Sequence, residues 1–211
     1  LGLAPLAELQ GRAPASAPIE IKPLESEIHA PFAMPGKTQV NLYIGWHAPE
    51  ITSGDWVLWE LAAKAIGGDL AGRLWKLRQG EGLAYSVWME SDALAEQPIG
   101  YVYMATAAEK RESALAAIRR EIGAAQAGLM PEELERVKVS FLANLNRLDR
   151  TAARRSRRHA AWWVYGLPAD YREQLTGMVE RAALPDVNRV IRDVLHPDRF
   201  VFVEAGAVDA E

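Results

Sequence analysis

Cysteine is absent from the 211 residues, and that lack removes disulfide scaffolds, thiolate zinc sites and cysteine nucleophiles together. Positive charge is not in excess either. The 24 Lys and Arg stand against 28 Asp and Glu, a formal net charge of -4, so the global basic field that collects nucleic-acid phosphates is missing and nucleic acid is not expected as a partner. No apolar run approaches the roughly 18 to 20 residues of a membrane-crossing helix. The stretch Leu1–Ala17 also lacks a basic region followed by an apolar block, so no targeting signal is read there.

Several chemical signatures are missing as well. The histidines stand at 29, 47, 159 and 196; none lies three or four residues from another or beside a Glu, so neither an HExxH nor an HxxEH zinc pair is present. Gly36-Lys37-Thr38 has the ending of a phosphate loop, but position 31, where the loop needs its first Gly, is Pro31, and the expected preceding strand is not seen. No serine sits in a Gly-x-Ser-x-Gly elbow.

What is present suits one domain with a sizeable core: 49% of residues are hydrophobic and 25% charged. Residues 1–36 hold six prolines among many alanines and read as an irregular lead-in or interdomain linker, with the domain proper at 37–211. Because the first residue is Leu, the chain is expected to be a processed product or an excised part of something longer.

From Gln39 to Trp46, apolar Val40, Leu42, Ile44 and Trp46 alternate with their neighbours, which predicts a half-buried strand. Asp55 is placed to cap a helix whose apolar face is Val57, Leu58, Leu61, Ala62 and Ala65 and which Gly67-Gly68 ends. Asp69 can cap a shorter helix to about Gln79. Gly80 and Gly82 close it, and Leu83, Tyr85, Val87 and Met89 then alternate as a strand with a hairpin partner at 99–106. Helical patterning follows over 108–127, 131–147, 151–165, 169–180 and 185–194, with a last strand at Phe200–Glu204. This order predicts an α+β fold, an antiparallel-rich mixed sheet covered by helices.

Two features carry polar chemistry. Arg147, Arg150, Arg154 and Arg158 fall at spacings of a shared helical face, which could meet an acidic partner domain or be a solvated face paired with the chain's carboxylates. Trp162 and Trp163 just beyond read as core or interface aromatics. The second feature is the segment 67–87, GGDLAGRLWKLRQGEGLAYSV. Its glycines permit sharp turns around a short helix, with Arg78 at that helix's end and Tyr85 early in the next strand. Arg offers a fixed fork of donors to carbonyl or carboxylate oxygens, and a Tyr hydroxyl can donate to a developing oxyanion. Spacing alone leaves open a plainer arrangement, with Arg78 on a helix-terminal carbonyl and Tyr85 as a sheet-face aromatic.

This segment resembles the C-terminal half-repeat of the insulinase/pitrilysin family of zinc metallopeptidases, the group that includes the mitochondrial processing peptidases and the bc1 core subunits. The likeness extends over roughly 37–206, and the family's Arg-x6-Tyr spacing falls on Arg78 and Tyr85. Gly72 departs from it, standing where relatives often carry Ser before Arg-Leu. The resemblance implies a bilobal clamshell peptidase in which one half carries zinc and this half binds none. Arg78 and Tyr85 would then bind substrate and steady the tetrahedral intermediate. The implied partners are a zinc-bearing half or subunit, in a homo- or hetero-dimer, and a peptide substrate; the implied compartment is the bacterial periplasm or cytoplasm. The alternative is a catalytically silent assembly subunit of the same fold.

Overall fold

The computed structural model describes residues 24–68, 70–92, 98–196 and 198–208. Its centre is the alternating strand read from the sequence, β2 (Gln39–His47), in which Val40, Leu42, Ile44 and Trp46 are buried. It pairs antiparallel along its length with β4 (Ile99–Ala107), and β4 pairs with β3 (Ser86–Asp92). The last strand, β5 (Val201–Gly206), lies antiparallel on the other side of β2. Outside it, β1 (Ile28–Ala33) runs parallel to β5, giving the order β1-β5-β2-β4-β3.

The strand β1 corrects part of the expected lead-in, because residues 28–33 belong to the sheet and the domain begins before Lys37. Prolines obscured it. Pro31 lies within β1, and a proline can occupy a strand when that strand is at the sheet's edge and the missing N–H has no partner to lose. The remaining lead-in, 1–23, and Asp69 with its expected cap lie outside the described residues.

Helices cover one face of the sheet. The first, α1 (Trp56–Ala63), buries Trp59 and Leu61 and continues into a π-turn over Lys64–Gly68. After α2 (Trp75–Gln79) and the β3–β4 hairpin come α3 (Arg111–Gln126), α4 (Pro131–Leu148), α5 (Ala152–Val164), α6 (Tyr171–Arg181) and α7 (Leu184–Val194). Pro131 opens α4, with Glu132 and Glu133 in its first turn, where the helix dipole favours carboxylates. Glu133 also accepts the Met130 N–H at 2.8 Å. Asp55 does precede α1, but its carboxylate makes no capping bond; it takes Arg189 of α7 at 2.6 Å.

One charge lies under this layer. Glu204 of β5 is almost fully buried and is held by a two-point pair with Arg111 at the start of α3, the arrangement that makes a buried carboxylate tolerable. The arginine run does not share one helical face, because α4 stops at Leu148 and α5 starts at Ala152. Asp149 in that break draws Arg158 to 3.2 Å and Arg172 to 2.7 Å. Trp162 packs edge-on against Tyr171 with ring centroids 5.1 Å apart, whereas Trp163 is exposed.

The second face of the sheet carries no helix from among the described residues. Trp88, Tyr103, Tyr43 and Tyr101 form a row there with successive centroid separations of 4.2, 4.9 and 5.9 Å. Gly45 leaves a hollow of about 460 Å³ beside Tyr43, Tyr101, Ile99, Val201 and Val203. Ile28 and Phe32 extend the exposed apolar surface to the β1 edge.

Candidate functional site

The glycine-bounded segment is held from both ends. Gly67, in the π-turn, is buried so close to its neighbours that an added Cβ would come within 2.5 Å of Leu74 Cδ1 and 2.9 Å of Met89 Cβ. Only glycine lets this turn lie against β3. Next along the chain, Arg73 donates Nε to Glu133 at 2.7 Å and Nη2 to the same carboxylate at 2.5 Å, and also reaches the carbonyl of Gly128 at 2.9 Å. The mutual pairing holds the Glu133 carboxyl below its ordinary range and raises the Arg73 guanidinium. The arginine of Gly-Arg-Leu is therefore a structural clamp that ties the segment to α4.

The short helix α2 then presents Arg78, whose guanidinium lies 4.8 Å from the centre of the Trp75 ring. The exit turn is closed by Leu83 N–H donating to Leu77 O at 2.8 Å. Gly82 sits at φ +60, the left-handed conformation that glycine enters without steric cost. Two side chains from after the hairpin secure the same turn: the buried Thr106 hydroxyl donates to Leu83 O at 2.6 Å, and Lys110 Nζ donates to Gly82 O at 2.9 Å. These two residues were not singled out from the sequence, where nothing local marks them.

Tyr85 follows directly. Its N–H donates to Ala105 O at 2.8 Å, while the strand register pairs Ser86 with Ala105. This irregular step takes Tyr85 out of the row formed by Val87 and Met89. Those two are buried and Tyr85 is 55% exposed, so the uniform alternation expected from Leu83 to Met89 is broken at its start. Arg78 is exposed too. Among the described residues no hydrogen bond or ion pair joins the two or engages either side chain. The two stand before and after one clamped turn, Arg78 over the Trp75 ring and Tyr85 exposed just ahead of β3.

No group of three or more His, Asp or Glu that could hold a metal ion is present among the described residues. His29 is stacked on Phe202 at 4.9 Å and bonded to Glu27. His159 meets Trp162 edge-on at 5.3 Å.

Residues 5–141 match the family described as Peptidase M16 inactive domain. No curated protein sequence matches the chain. Among solved structures, a peptidase M16 inactive domain from Pseudomonas fluorescens is 21% identical with a TM-score of 0.83, covering 94% of this chain and 48% of that one. A protease from Helicobacter pylori is 14% identical with a TM-score of 0.81 and the same coverages. A periplasmic protease from Escherichia coli is 13% identical with a TM-score of 0.70, covering 87% of this chain and 21% of that one. The chain thus spans about half the length of the first two, and at these identities the likeness is one of fold.

Proposed function

This chain belongs to the peptidase M16 inactive-domain family, and on that premise we propose that it is the substrate-gripping, zinc-free half of a zinc-dependent endopeptidase. The observation that supports this reading is the clamped turn, before and after which Arg78 and Tyr85 stand exposed and, among the described residues, without a hydrogen bond or ion pair. Tyr85 donates its hydroxyl to the carbonyl oxygen of the bond under attack and follows it as negative charge develops. Arg78, steadied by Trp75, orients the peptide through its carbonyls or a carboxylate. Zinc, held by a partner half, would supply the activated water. Neither Arg78 nor Tyr85 acts as the base. Bacterial periplasm or cytoplasm remains the proposed location, in keeping with the periplasmic relative.

In the complete two-half enzyme, Tyr85→Phe should lower kcat roughly ten- to a thousandfold, the scale of one lost oxyanion donor. Unchanged turnover removes the assigned role. Mixing this chain with a zinc-bearing half should give peptide cleavage that neither gives alone.

A second reading, a silent assembly subunit of the same fold, draws support from the apolar sheet face that no helix covers among the described residues. It requires Tyr85→Phe to leave every peptidase property of the assembly unchanged.

A further inference from the structure

Most of the arginine run lies on α5, whose sequence is Ala-Ala-Arg-Arg-Ser-Arg-Arg-His-Ala-Ala-Trp-Trp-Val. Every residue of this helix is exposed except Arg158 and Trp162. It holds four arginines and no Asp or Glu, so nothing within it offsets the repulsion between like charges three and four residues apart. A helix this short is marginal in water by itself. Its inward contacts are few: Trp162 packs on Tyr171, and Arg158 reaches Asp149.

The arginines divide into two sets. Arg155 donates to Asp149 O at 3.2 Å, while Arg158 pairs with the Asp149 carboxylate at 3.2 Å and donates to Leu145 O at 3.4 Å. These two are engaged at the break between α4 and α5. Arg150, Arg154 and Arg157 are exposed, and among the described residues their side chains have no hydrogen bond or ion pair. Arg154, Arg157, Ala161 and Val164 follow one another at intervals of three and four along an exposed flank. Trp163 is 78% exposed and Val164 80%. The helix thus has a basic first half and ends in an uncovered tryptophan and valine.

We propose that α5 docks on an anionic lipid bilayer, with Arg150, Arg154 and Arg157 on lipid phosphates and Trp163 at headgroup depth. The missing counter-charge sets the sign of the partner. The shape of the helix sets its class. A helix that enters a protein groove needs apolar anchors along its outward stripe, but here that stripe is Ala153, Arg157, Ala160 and Val164, with an arginine between two alanines. A headgroup layer needs no matching groove, because lipids rearrange around a convex rod. Guanidinium groups suit phosphate oxygens, and the indole of an exposed tryptophan suits the membrane–water boundary. No helix among the described residues is long and apolar enough to cross a membrane, so the contact is at the surface and reversible. With a formal net charge of -4, the rest of the chain is repelled by the same lipids, which leaves α5 as the side of approach. The inference is independent of the peptidase reading.

The test uses the full chain and vesicles of phosphatidylcholine, alone or with about a third phosphatidylglycerol. Co-sedimentation should show partitioning to the anionic vesicles only, weakening as salt rises. Each arginine lost should lower it about fivefold, so the combined Arg150→Gln, Arg154→Gln and Arg157→Gln variant should fall about a hundredfold. The corresponding lysine variant, which keeps the charge, should retain binding, and circular dichroism checks that both fold. Trp163→Ser should weaken partitioning at low and high salt alike. Because the chain has no cysteine, a solvatochromic label on Ala160→Cys should shift to the blue with anionic vesicles, and one on Ala116→Cys in α3 should not. No partitioning, equal partitioning to both vesicle sets, an undiminished glutamine variant, or a response at Ala116 instead of Ala160 would each overturn the proposal. So would binding of a soluble poly-glutamate peptide or duplex DNA without partitioning to vesicles, which would make the counter-surface a protein or a nucleic acid.

Discussion

Glu60 shows how a single side chain sets a pH response. Folded, its carboxyl holds its proton to about pH 7, against an ordinary value of 4.5, chiefly because burial disfavours the charged form. Between those values the folded state binds the extra proton. The stability this group contributes is therefore complete below about pH 4.5 and is lost as pH rises through about 7. The full span is about 3 kcal/mol at most. Relative to Glu60→Gln, the unaltered chain should lose about 2 kcal/mol of unfolding free energy between pH 5 and pH 8. Urea titrations at the two pH values measure the difference, and parallel behaviour of the two proteins would show that the carboxyl ionises normally.

At the scale of elements, the turn between α2 and β3 connects sequence to site. Gly82 at φ +60 has open space where a Cβ would project, so Gly82→Ala tests backbone strain without a clash. It should cost about 1 kcal/mol of stability and, by shifting Leu83 and Tyr85, lower turnover of the proposed two-half peptidase more than its thermal shift explains. Equal losses in stability and activity would mean that the turn does not place Tyr85. The glycines, the short helix and the hairpin were legible because their signals are local: φ freedom, period-two alternation and a Pro–Glu–Glu helix start. What was not legible depends on residues distant in the chain. Asp55 is drawn from its cap by Arg189, and Thr106 and Lys110 reach back to a turn more than twenty residues earlier. That Glu60 lines an edge groove follows only from the order of strands.

Over the whole molecule, the two faces of the sheet differ sharply. One is sealed by helices and contains the paired charge Glu204–Arg111. The other exposes Ile28, Phe32, Tyr43, Trp88 and Ile99, the kind of apolar side chains that contact a partner when they lie together on one face. Concentrated solutions of the chain should therefore self-associate, as sedimentation velocity at several concentrations would reveal. Phe32→Ser should weaken that association while changing stability by less than about 0.5 kcal/mol, since Phe32 is 57% exposed on an edge strand. Association unaffected by Phe32→Ser would place the contact elsewhere.

The position of β5 governs how the protein can be made. β5 fills the slot between β1 and β2, so a chain emerging from the ribosome holds β1 and β2 apart until residues 201–206 have been synthesised. Pairings across so long a separation are slow to form, and in the meantime two unsatisfied strand edges flank an empty lane, a geometry prone to intermolecular pairing. The sheet should accordingly close only after β5 has emerged. A chain ending before Val201 should aggregate, and a synthetic peptide spanning 198–208, added during refolding, should rescue part of the soluble fraction by entering the lane in trans.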